Sequence, residues 1–381
     1  MTKQYDNYAD LITFTRASTG TYLDSDGLLK TATTNTPRIE YDADGNRLGL
    51  LIEEARTNNM IRSEEFDNAQ WTKLGVGNGL AAVVTANAGL SPDGATTADR
   101  IVFDAVDSAG QSQVNNLSGT QLTGICTFSV WLKAETGTPT VYLRIDWSGG
   151  AAIANAVLTN EWQRYSVTMP SSESSVTTVN RGTIGTRPLL GTSTSATVFA
   201  WGAQLEAGSF PTSYIPTAGA TATRAADVAS IPTSAFGYNA DKGTVVAEMN
   251  HPLANRAGGR KYIWNVNDSG NDRLSLRASD AVNNIVEPRA VVGNGVSNAD
   301  IPCPVTTAAK YTVALSYDNT GATMAVNGTL ASETGAYAGS QQTTLALAQS
   351  GGGSSQPNGH LKSIQYYPRR LTNAQLQRLT T

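Results

Sequence analysis

The sequence predicts an all-β protein built from antiparallel β-sandwich domains, and three observations support this. Charged residues make up only 15% of the 381 residues, while Gly, Thr, Ser, Ala and Asn are abundant, a composition that suits short strands and turns. Several segments alternate apolar and polar residues with the period of two expected for half-buried strands. No long helical pattern separates these segments, which favours packed antiparallel sheets.

The chain is too long for one ordinary core, so we expect several parts. Residues 1–59 hold short strands between turn signals such as Asp24–Gly27, and form a short N-terminal β segment. Residues 60–217 form the first sandwich, residues 218–240 a small, polar linker, and residues 241–381 the second sandwich. The stretches Thr15–Ser18 and Thr223–Ala226 echo each other. This suggests that the two ends of the chain meet, with residues 60–217 inserted between them.

The strands of the two sandwiches are read from their alternation. In the first sandwich the core-facing positions are Cys126, Phe128, Val130 and Leu132, then Val141, Leu143, Ile145 and Trp147, then Tyr165, Val167 and Met169. Trp147 is also placed near the rim of its sheet, and Trp71, Trp201 and Trp264 are assigned to cores. In the second sandwich, Asp318–Gly321 predicts a hairpin turn. Thr372 predicts the cap of a final helix that turns Leu376 and Leu379 toward a sheet.

Composition and charge exclude several classes of protein. The net charge is −4 and the pI is about 5.3, so the chain as a whole has no attraction for nucleic acid. No apolar run approaches the roughly 18 residues of a membrane span, and the start of the chain has no signal-peptide pattern, so we expect synthesis in the cytoplasm. The two cysteines, Cys126 and Cys303, are far apart and are expected to be free thiols.

The sequence contains no arrangement typical of a catalytic centre. Glu53 and Glu54 are adjacent, so on a strand they point to opposite faces and cannot act as a carboxylate pair. With only two histidines and no GxSxG or zinc-ligand spacing, neither a serine triad nor a zinc site is expected. We therefore expect no catalytic residues and no cofactor. The oxygen-rich stretch Asn265–Asp272 leaves calcium open at Asn267–Asp272, although a plain hairpin turn explains the same residues.

Several motifs resemble those of a known family. FTRASTGTYLDSDGLLKT, LGLLIEEARTN, NAQW and WGAQLEAGSFPTSYIPT followed by TRAAD resemble a set found in bacteriophage virion proteins. In that family a carbohydrate-binding-module-like jelly roll precedes a laminin-G or concanavalin-like jelly roll. KYTVALSYDNTGATMAVNGTL and NGHLKSIQYYPRRLTNAQLQRLT resemble the central hairpin and the closing strand and helix of the latter. The resemblance implies two jelly-roll domains, made in the host cytoplasm and placed on the virion surface.

A carbohydrate-binding surface is the functional prediction. Positions opposite the core in the first sandwich carry aromatic, guanidinium, amide and carboxylate groups: Trp131, Tyr142, Arg144, Asp146, Trp162, Arg164, Gln204 and Glu206. Aromatic rings can stack on the C–H faces of sugars while the polar groups bond hydroxyls. The alternative is that these rings are buried by other protein. In the second sandwich Arg273, Arg277 and Arg289 suggest a basic strip for an acidic polysaccharide, although a solvated face is favoured there.

The expected function is non-catalytic adhesion of a phage tail, fibre or head-spike protein to host surface polysaccharide. Its other partners would be virion proteins and further copies of itself. A trimer is the first expectation, and neither nucleic acid nor membrane insertion is expected. Two alternatives stay open: a purely structural decoration or connector protein without ligand, and a polysaccharide depolymerase. The N-terminal segment either docks to the virion or completes the C-terminal sandwich.

Overall fold

The computed structural model describes residues 11–175, 178–250, 261–267, 272–280, 286–294, 298–302, 310–334, 343–349 and 355–381. These form two compact units. The first unit contains the described residues within 1–27, 32–55 and 225–381, and the second contains residues 28–31 and 56–224. Both units consist mainly of antiparallel sheets, so the predicted all-β class is confirmed. Among the described helices, none is long and apolar enough to cross a membrane.

The strands follow one another in chain order as β1 (Thr13–Thr15), β2 (Gly20–Leu23), β3 (Leu29–Ala32), β4 (Ile39–Tyr41), β5 (Arg47–Ile52), β6 (Arg56–Asn58), β7 (Trp71–Val76), β8 (Leu80–Gly89), β9 (Ala98–Asp104), β10 (Gln111–Leu122), β11 (Cys126–Ala134), β12 (Thr140–Trp147), β13 (Gly150–Val157), β14 (Gln163–Thr168), β15 (Val179–Thr186), β16 (Ser195–Ala207), β17 (Ala222–Arg224), β18 (Val228–Pro232), β19 (Gly243–Asn250), β20 (Lys261–Asn267), β21 (Asp272–Asp280), β22 (Val286–Asn294), β23 (Asn298–Pro302), β24 (Lys310–Asp318), β25 (Gly321–Val326), β26 (Thr329–Thr334), β27 (Thr344–Leu347) and β28 (Gly359–Tyr367). The α-helices are α1 (Thr233–Phe236) and α2 (Asn373–Thr380), and single 3₁₀ turns lie at Ser171–Glu173 and Pro188–Leu190.

The described part of the first unit contains two seven-stranded sheets. Their orders are β1-β18-β27-β20-β21-β22-β23 and β26-β25-β24-β19-β28-β5-β4. Strands of the N-terminal segment lie in both, because Phe14 pairs with Ala229 and Leu50 pairs with Leu361. The N-terminal strands therefore complete sheets made by the C-terminal part of the chain. Residues 218–240, expected to be a linker, instead contain β17, β18 and α1.

A buried group of charged side chains joins distant segments of the first unit. Asp227 accepts hydrogen bonds from Arg16 Nη1 at 3.1 Å and from Arg38 Nη2 at 2.5 Å. Arg38 Nη2 also lies 2.9 Å from a Glu53 carboxylate oxygen. Breaking one partner of such a buried pair is strongly destabilising. The Thr-Arg-Ala sequence at residues 15–17 thus supplies an arginine that ties the N-terminal segment to the chain after residue 225.

Local predictions for the C-terminal half are confirmed. Asp318 pairs with Gly321 at the turn between β24 and β25. Thr372 caps α2 and forms a capping box with Gln375, so side chain and backbone bond reciprocally at the helix start. Leu376 is fully buried and Leu379 packs beside it, against apolar residues of the adjoining sheet. A short amphipathic helix therefore closes one face of the unit.

The second unit is a sandwich of two five-stranded sheets. The first sheet has the order β14-β11-β16-β9-β8 and the second has the order β13-β12-β15-β10-β7. Apart from Trp147, the predicted inward positions of β11 and β12 are buried in the core between the two sheets, as are Trp71 and Val167. Gly182 is needed on β15 because a Cβ there would lie 2.6 Å from the Phe128 ring. Trp147 packs against the edge of this core, as predicted.

Candidate functional site

The outer face of the first sheet is covered by the chain that follows β16. This segment, residues 208–217, is called the tail. It begins at Gly208, whose φ of 129° is a conformation that only glycine adopts readily. Thr127 Oγ1 on β11 donates to the Gly208 carbonyl at 2.9 Å, and Tyr214 packs on Trp201 with ring centroids 4.7 Å apart. Polar and apolar contacts therefore hold the tail on the sheet.

Two of the predicted sugar ligands, Gln204 and Glu206, bind the tail. Both are 0% exposed. Glu206 accepts hydrogen bonds from the Thr212 backbone N–H at 2.9 Å and from its hydroxyl at 2.7 Å. Gln204 donates to Glu206 at 2.6 Å and accepts from the Ile215 N–H at 2.7 Å. Their assignment to a solvent-facing surface is corrected, because the tail removes them from solvent.

Three other predicted residues are also engaged on this first sheet. Arg164 donates from Nη1 to the Thr212 carbonyl at 2.5 Å and from Nη2 to the Ser129 hydroxyl at 3.0 Å. Trp162 donates from Nε1 to the Leu90 carbonyl at 3.0 Å. Trp131 is half-buried beside the cluster that contains Trp201 and Tyr214. The half-buried pattern expected for β11 is therefore wrong at Thr127 and Ser129, which the tail buries from the other side.

Tyr142, Arg144 and Asp146 lie on the other sheet. They alternate with the core residues Leu143 and Ile145 of β12 and so occupy the outer face of the second sheet. The eight predicted residues are thus divided between two sheets and do not form one surface. We call the outer face of the second sheet the polar face. Its outward positions are Gln111, Gln113, Asn115 and Leu117 on β10, Tyr142, Arg144 and Asp146 on β12, Arg181 and Thr183 on β15, Ile153 and Asn155 on β13, and Thr72 and Leu74 on β7.

Hydrogen bonds order one end of the polar face. The Tyr142 hydroxyl donates to Gln113 Oε1 at 2.6 Å and accepts from Gln111 Nε2 at 2.8 Å. Burial raises the pKa of Tyr142 to about 12, although the Gln111 hydrogen bond and the charges of Arg144 and Arg187 act in the opposite direction. Tyr142 therefore stays a neutral phenol. It forms a fixed part of the floor, with both hydroxyl functions used.

The middle of the polar face has unused hydrogen-bonding groups. Asn115, Thr183 and Arg144 lie side by side on three adjacent strands, and Asn115 is only 5% exposed. Asn115 Nδ2, Asp146 Oδ2 and Arg181 Nε are buried and have no hydrogen-bond partner in the part of the chain that the structure describes. Buried polar atoms are usually paired, and leaving them unpaired costs free energy. Two donors and one acceptor therefore lie just beneath this face without a partner among the described residues.

Arg144 and Asp146 form the ion pair at the centre of this group. Arg144 Nε donates to Asp146 Oδ1 at 2.8 Å, and the Nη2 of the same arginine also bonds this oxygen. The pair occupies one carboxylate oxygen and leaves the other, Oδ2, without a partner. The side chains are 32% and 16% exposed. A ligand can therefore reach a charged group whose position is already fixed.

Apolar side chains flank the polar floor. Ile153, Leu74 and Leu117 lie on the outward side of strands β13, β7 and β10 and are exposed. Asn155 donates to the Leu190 carbonyl at 2.7 Å, which places the 3₁₀ turn at Pro188–Leu190 beside the β13 edge. Such side chains can contact the C–H surface of a bound ring while the floor binds its hydroxyls. The face thus offers both kinds of contact that a saccharide needs.

The polar face carries little that suggests catalysis. Among the outward positions of its five strands, Asp146 is the one carboxylate, whereas glycoside hydrolysis normally needs two. No group of three or more potential metal ligands occurs among the described residues. Cys126 is buried in the core, and burial raises the pKa of its thiol to about 12, so it is not a nucleophile. The arrangement supports binding.

Some sequence predictions fall outside the described residues. The calcium alternative at Asn267–Asp272 does so, because residues 268–271 are not described, and so does Cys303. For the basic strip of Arg273, Arg277 and Arg289, the strands β21 and β22 are described but these side chains are not. These predictions stay predictions.

The sequence analysis missed Asn115, Arg181, Gln111 and Gln113. The signal was present, because β10 places polar residues at every second position from Gln111 to Asn115. This alternation does not indicate which of the two outer sheet faces is covered, since the cover depends on the tail. The strands that pair with β10 are also distant from it in sequence: β7 lies on one side and β15 on the other.

No protein-family model matches the sequence, and no curated protein is significantly similar to it. The sialidase carbohydrate-binding module CBM40 of Ruminococcus gnavus, bound to α2,3-sialyllactose, is similar in structure at 18% identity and a TM-score of 0.32, over 37% of this chain and 82% of that one. A family 11 carbohydrate-binding module from Clostridium thermocellum, in complex with a mixed-linked tetrasaccharide, gives 7% identity and a TM-score of 0.30, over 44% and 98%.

Mouse laminin α1 domains LG4-5 are similar at 10% identity and a TM-score of 0.26, over 66% of this chain and 82% of that one. Structural neighbours therefore include carbohydrate-binding modules and laminin G domains. At these identities the likeness concerns the fold alone.

Proposed function

We propose that the protein is a non-catalytic, carbohydrate-binding structural protein of a bacteriophage particle. It is made in the host cytoplasm, assembles with other virion proteins on the virion surface, and attaches the particle to host surface polysaccharide through the polar face. The observation that carries the binding proposal is the set of buried, unpartnered polar atoms on Asn115, Asp146 and Arg181. Sugar hydroxyls both donate and accept, so one ligand can satisfy all three.

Several copies per particle are part of the proposal, with a trimer as the first expectation. Multivalent display strengthens attachment without new contacts. Strand β8 supports assembly: it is an edge strand of ten residues without a charged side chain, and Leu80 and Val83 on it are exposed. Uncharged edges favour pairing with other chains. Native mass spectrometry tests this, and an oligomer that persists unchanged in Val83→Lys would exclude this edge.

The binding proposal is tested by removing the central ion pair as a unit. In the double variant Arg144→Ala/Asp146→Ala, affinity for a bound polysaccharide should fall at least about tenfold, because charge-assisted hydrogen bonds contribute about 1.5–3 kcal/mol. Affinity electrophoresis of the purified protein through gels containing host capsular or envelope polysaccharide gives the dissociation constants. Removing both partners leaves no uncompensated charge behind.

The matched control is Arg100→Ala/Glu135→Ala. This pair lies on the first sheet, with a nitrogen–oxygen distance of 2.7 Å and exposures of 33% and 35%. It should leave affinity unchanged. Equal loss in both double variants, or no loss in Arg144→Ala/Asp146→Ala, contradicts the proposed site. Binding to no host polysaccharide at all contradicts carbohydrate binding and leaves a purely structural virion role.

A further inference from the structure

We propose that the polar face selects carboxylated polysaccharides, that is, polymers containing uronic or similar acidic sugars. This inference rests on the proposed function and names its ligand class. It follows from the charges of the polar face, which differ in sign from the charge of the whole chain.

The charged groups that face the site are three arginines and one aspartate. Strand β12 contributes Arg144 and Asp146, β15 contributes Arg181, and the turn after β15 contributes Arg187. The outward positions of β7, β10 and β13 are uncharged. Three positive charges against one negative charge leave two positive charges, in a chain of net charge −4. A local charge of this sign attracts anions.

Arg144 neutralises Asp146, which leaves Arg181 and Arg187 without an ion pair to any carboxylate that the structure describes. Arg181 lies opposite Asp146 in the strand pairing, yet Asp146 is bonded by Arg144. Arg181 has no ion pair with a described carboxylate, and its Nε is buried without a hydrogen-bond partner. A guanidinium that is partly removed from water and unpaired favours an anionic partner.

Arg187 lies on the same side of the sheet. It continues the outward alternation of Arg181 and Thr183 in an extended conformation directly after β15, and its charge, like that of Arg144, acts to lower the pKa of Tyr142. Arg181 and Arg144 lie on the neighbouring strands β15 and β12. Arg144 pairs with Thr183, two residues along β15 from Arg181. The arginines therefore border the floor formed by Asn115 and Tyr142. A sugar whose hydroxyls bond that floor places its ring substituents beside them.

Guanidinium groups bind carboxylates through paired, charge-assisted hydrogen bonds. A neutral saccharide would bond Asn115 and Asp146 but leave Arg181 without an anion. A saccharide bearing a carboxylate satisfies the hydroxyl-bonding atoms and the free positive charge together. The same face thus distinguishes acidic from neutral polymers of similar shape.

The test uses three acidic polymers, polygalacturonate, alginate and hyaluronate, each beside its carboxyl-reduced form. Reduction converts the carboxylate to a neutral hydroxymethyl group and keeps the backbone of the polymer. We expect at least one acidic polymer to bind, and its reduced form to bind at least about tenfold more weakly. Affinity electrophoresis and titration calorimetry on the full chain provide the constants.

Three variants with the same change of charge locate the effect. Arg187→Gln should weaken binding of the acidic polymer several-fold and leave the reduced form unaffected, and Arg181→Gln should weaken binding of the acidic polymer more than that of the reduced form. The control Arg378→Gln removes an exposed arginine of helix α2 in the first unit and should change neither. Circular dichroism confirms folding of each variant.

The outcomes separate the two proposals. Equal binding of acidic and reduced polymers, or full binding by Arg181→Gln and Arg187→Gln, overturns the selection of carboxylates. Binding to neutral polymers alone also overturns it, and leaves the proposed carbohydrate-binding function intact. Binding to no polymer, acidic or neutral, overturns both.

Discussion

The two sheets of the second unit have similar inner faces and different outer faces. Inside, both contribute apolar residues such as Phe128 and Leu143 to one core. Outside, the first sheet is covered by the tail, and its buried Gln204 and Glu206 have partners. Among the described residues the second sheet has no such cover, and its buried Asn115 and Asp146 each keep an atom without a partner there.

This difference teaches how to distinguish structural from binding polar residues. A buried polar side chain is compatible with either role, so burial alone does not decide. The partners and the cover decide together: Glu206 bonds the Thr212 backbone and hydroxyl, so it stabilises the fold, whereas Trp131 Nε1 lacks a partner but lies on the sheet that the tail covers. Asn115 Nδ2 has no partner among the residues that the structure describes, which favours a ligand from outside. The four predictions below, from the largest expected effect to the smallest, test this distinction.

The largest effect is expected from Glu206→Ala on stability. The change leaves the Thr212 N–H and hydroxyl and the Gln204 amide without their acceptor, so the free energy of unfolding should fall by about 3 kcal/mol. Urea unfolding measures it. The matched change on the polar face, Asp146→Ala, should lower the free energy of unfolding by less than about 1 kcal/mol, because that pair is partly exposed. Equal losses would remove the distinction between the two faces.

The next effect separates Trp131 from Asn115. Trp131 packs beside the tail, so Trp131→Ala should lower the free energy of unfolding by about 2 kcal/mol and leave saccharide affinity unchanged. Asn115→Ala should leave the free energy of unfolding nearly unchanged and lower saccharide affinity about fivefold, for one lost hydrogen bond. Unfolding curves and affinity electrophoresis on the same two proteins give both numbers. Loss of affinity in Trp131→Ala would move the binding site to the first sheet.

A smaller effect is expected from Tyr142→Phe. The change removes the hydroxyl that bonds Gln111 and Gln113, and leaves the two amides held at the edge of the site by their bond to each other. Affinity should fall by about twofold to fivefold, corresponding to about 0.5–1 kcal/mol, because the floor loses its order. Titration calorimetry is suited to a change of this size. A gain in affinity would mean that the fixed hydroxyl obstructs the ligand.

The smallest effect concerns pH and the tail. Burial raises the pKa of Glu64 above its ordinary value of 4.5, although a hydrogen bond from the Tyr214 hydroxyl at 2.8 Å opposes the shift. An acid with a raised pKa in the folded state binds more protons folded than unfolded. Its contribution to stability is therefore fully present below its ordinary pKa and is lost as the pH rises through the folded pKa.

Comparison with Glu64→Gln isolates this term. The stability of the natural protein relative to Glu64→Gln should fall as the pH is raised from about 4 to about 7. Urea unfolding across that range shows the trend. A relative stability that rises with pH would mean that the Tyr214 hydrogen bond outweighs burial, and that the carboxylate belongs to the tail contacts in its charged form.

Much of the fold could be predicted because it is written in local patterns. Alternation located β11, β12 and β14, Asp318–Gly321 marked a hairpin, and Thr372 marked a helix start. The cover of the first sheet could not be predicted in this way. It depends on the tail folding back over β11 and β16, and the sequence around Gly208 indicates only a break.

The site was predicted only in part, because local patterns place residues of one strand and not residues of different strands. Arg144 and Asp146 share a strand, so their common face follows from spacing alone. Asn115, Arg181 and Arg144 come from three strands, and their meeting depends on the pairing of β10 and β12 with β15. Alternation also treats both outer faces alike. It therefore assigned Glu206 and Asp146 to one surface, although one lies under the tail and the other faces solvent.

The most direct test of the account is a crystal structure with a bound acidic oligosaccharide, such as a trigalacturonate. The account predicts the sugar on the second sheet, with hydroxyl oxygens within hydrogen-bond distance of Asn115 Nδ2 and Asp146 Oδ2 and a carboxylate beside Arg181. A sugar stacked on Trp131 or Trp162 of the first sheet, with the polar face empty, would contradict it.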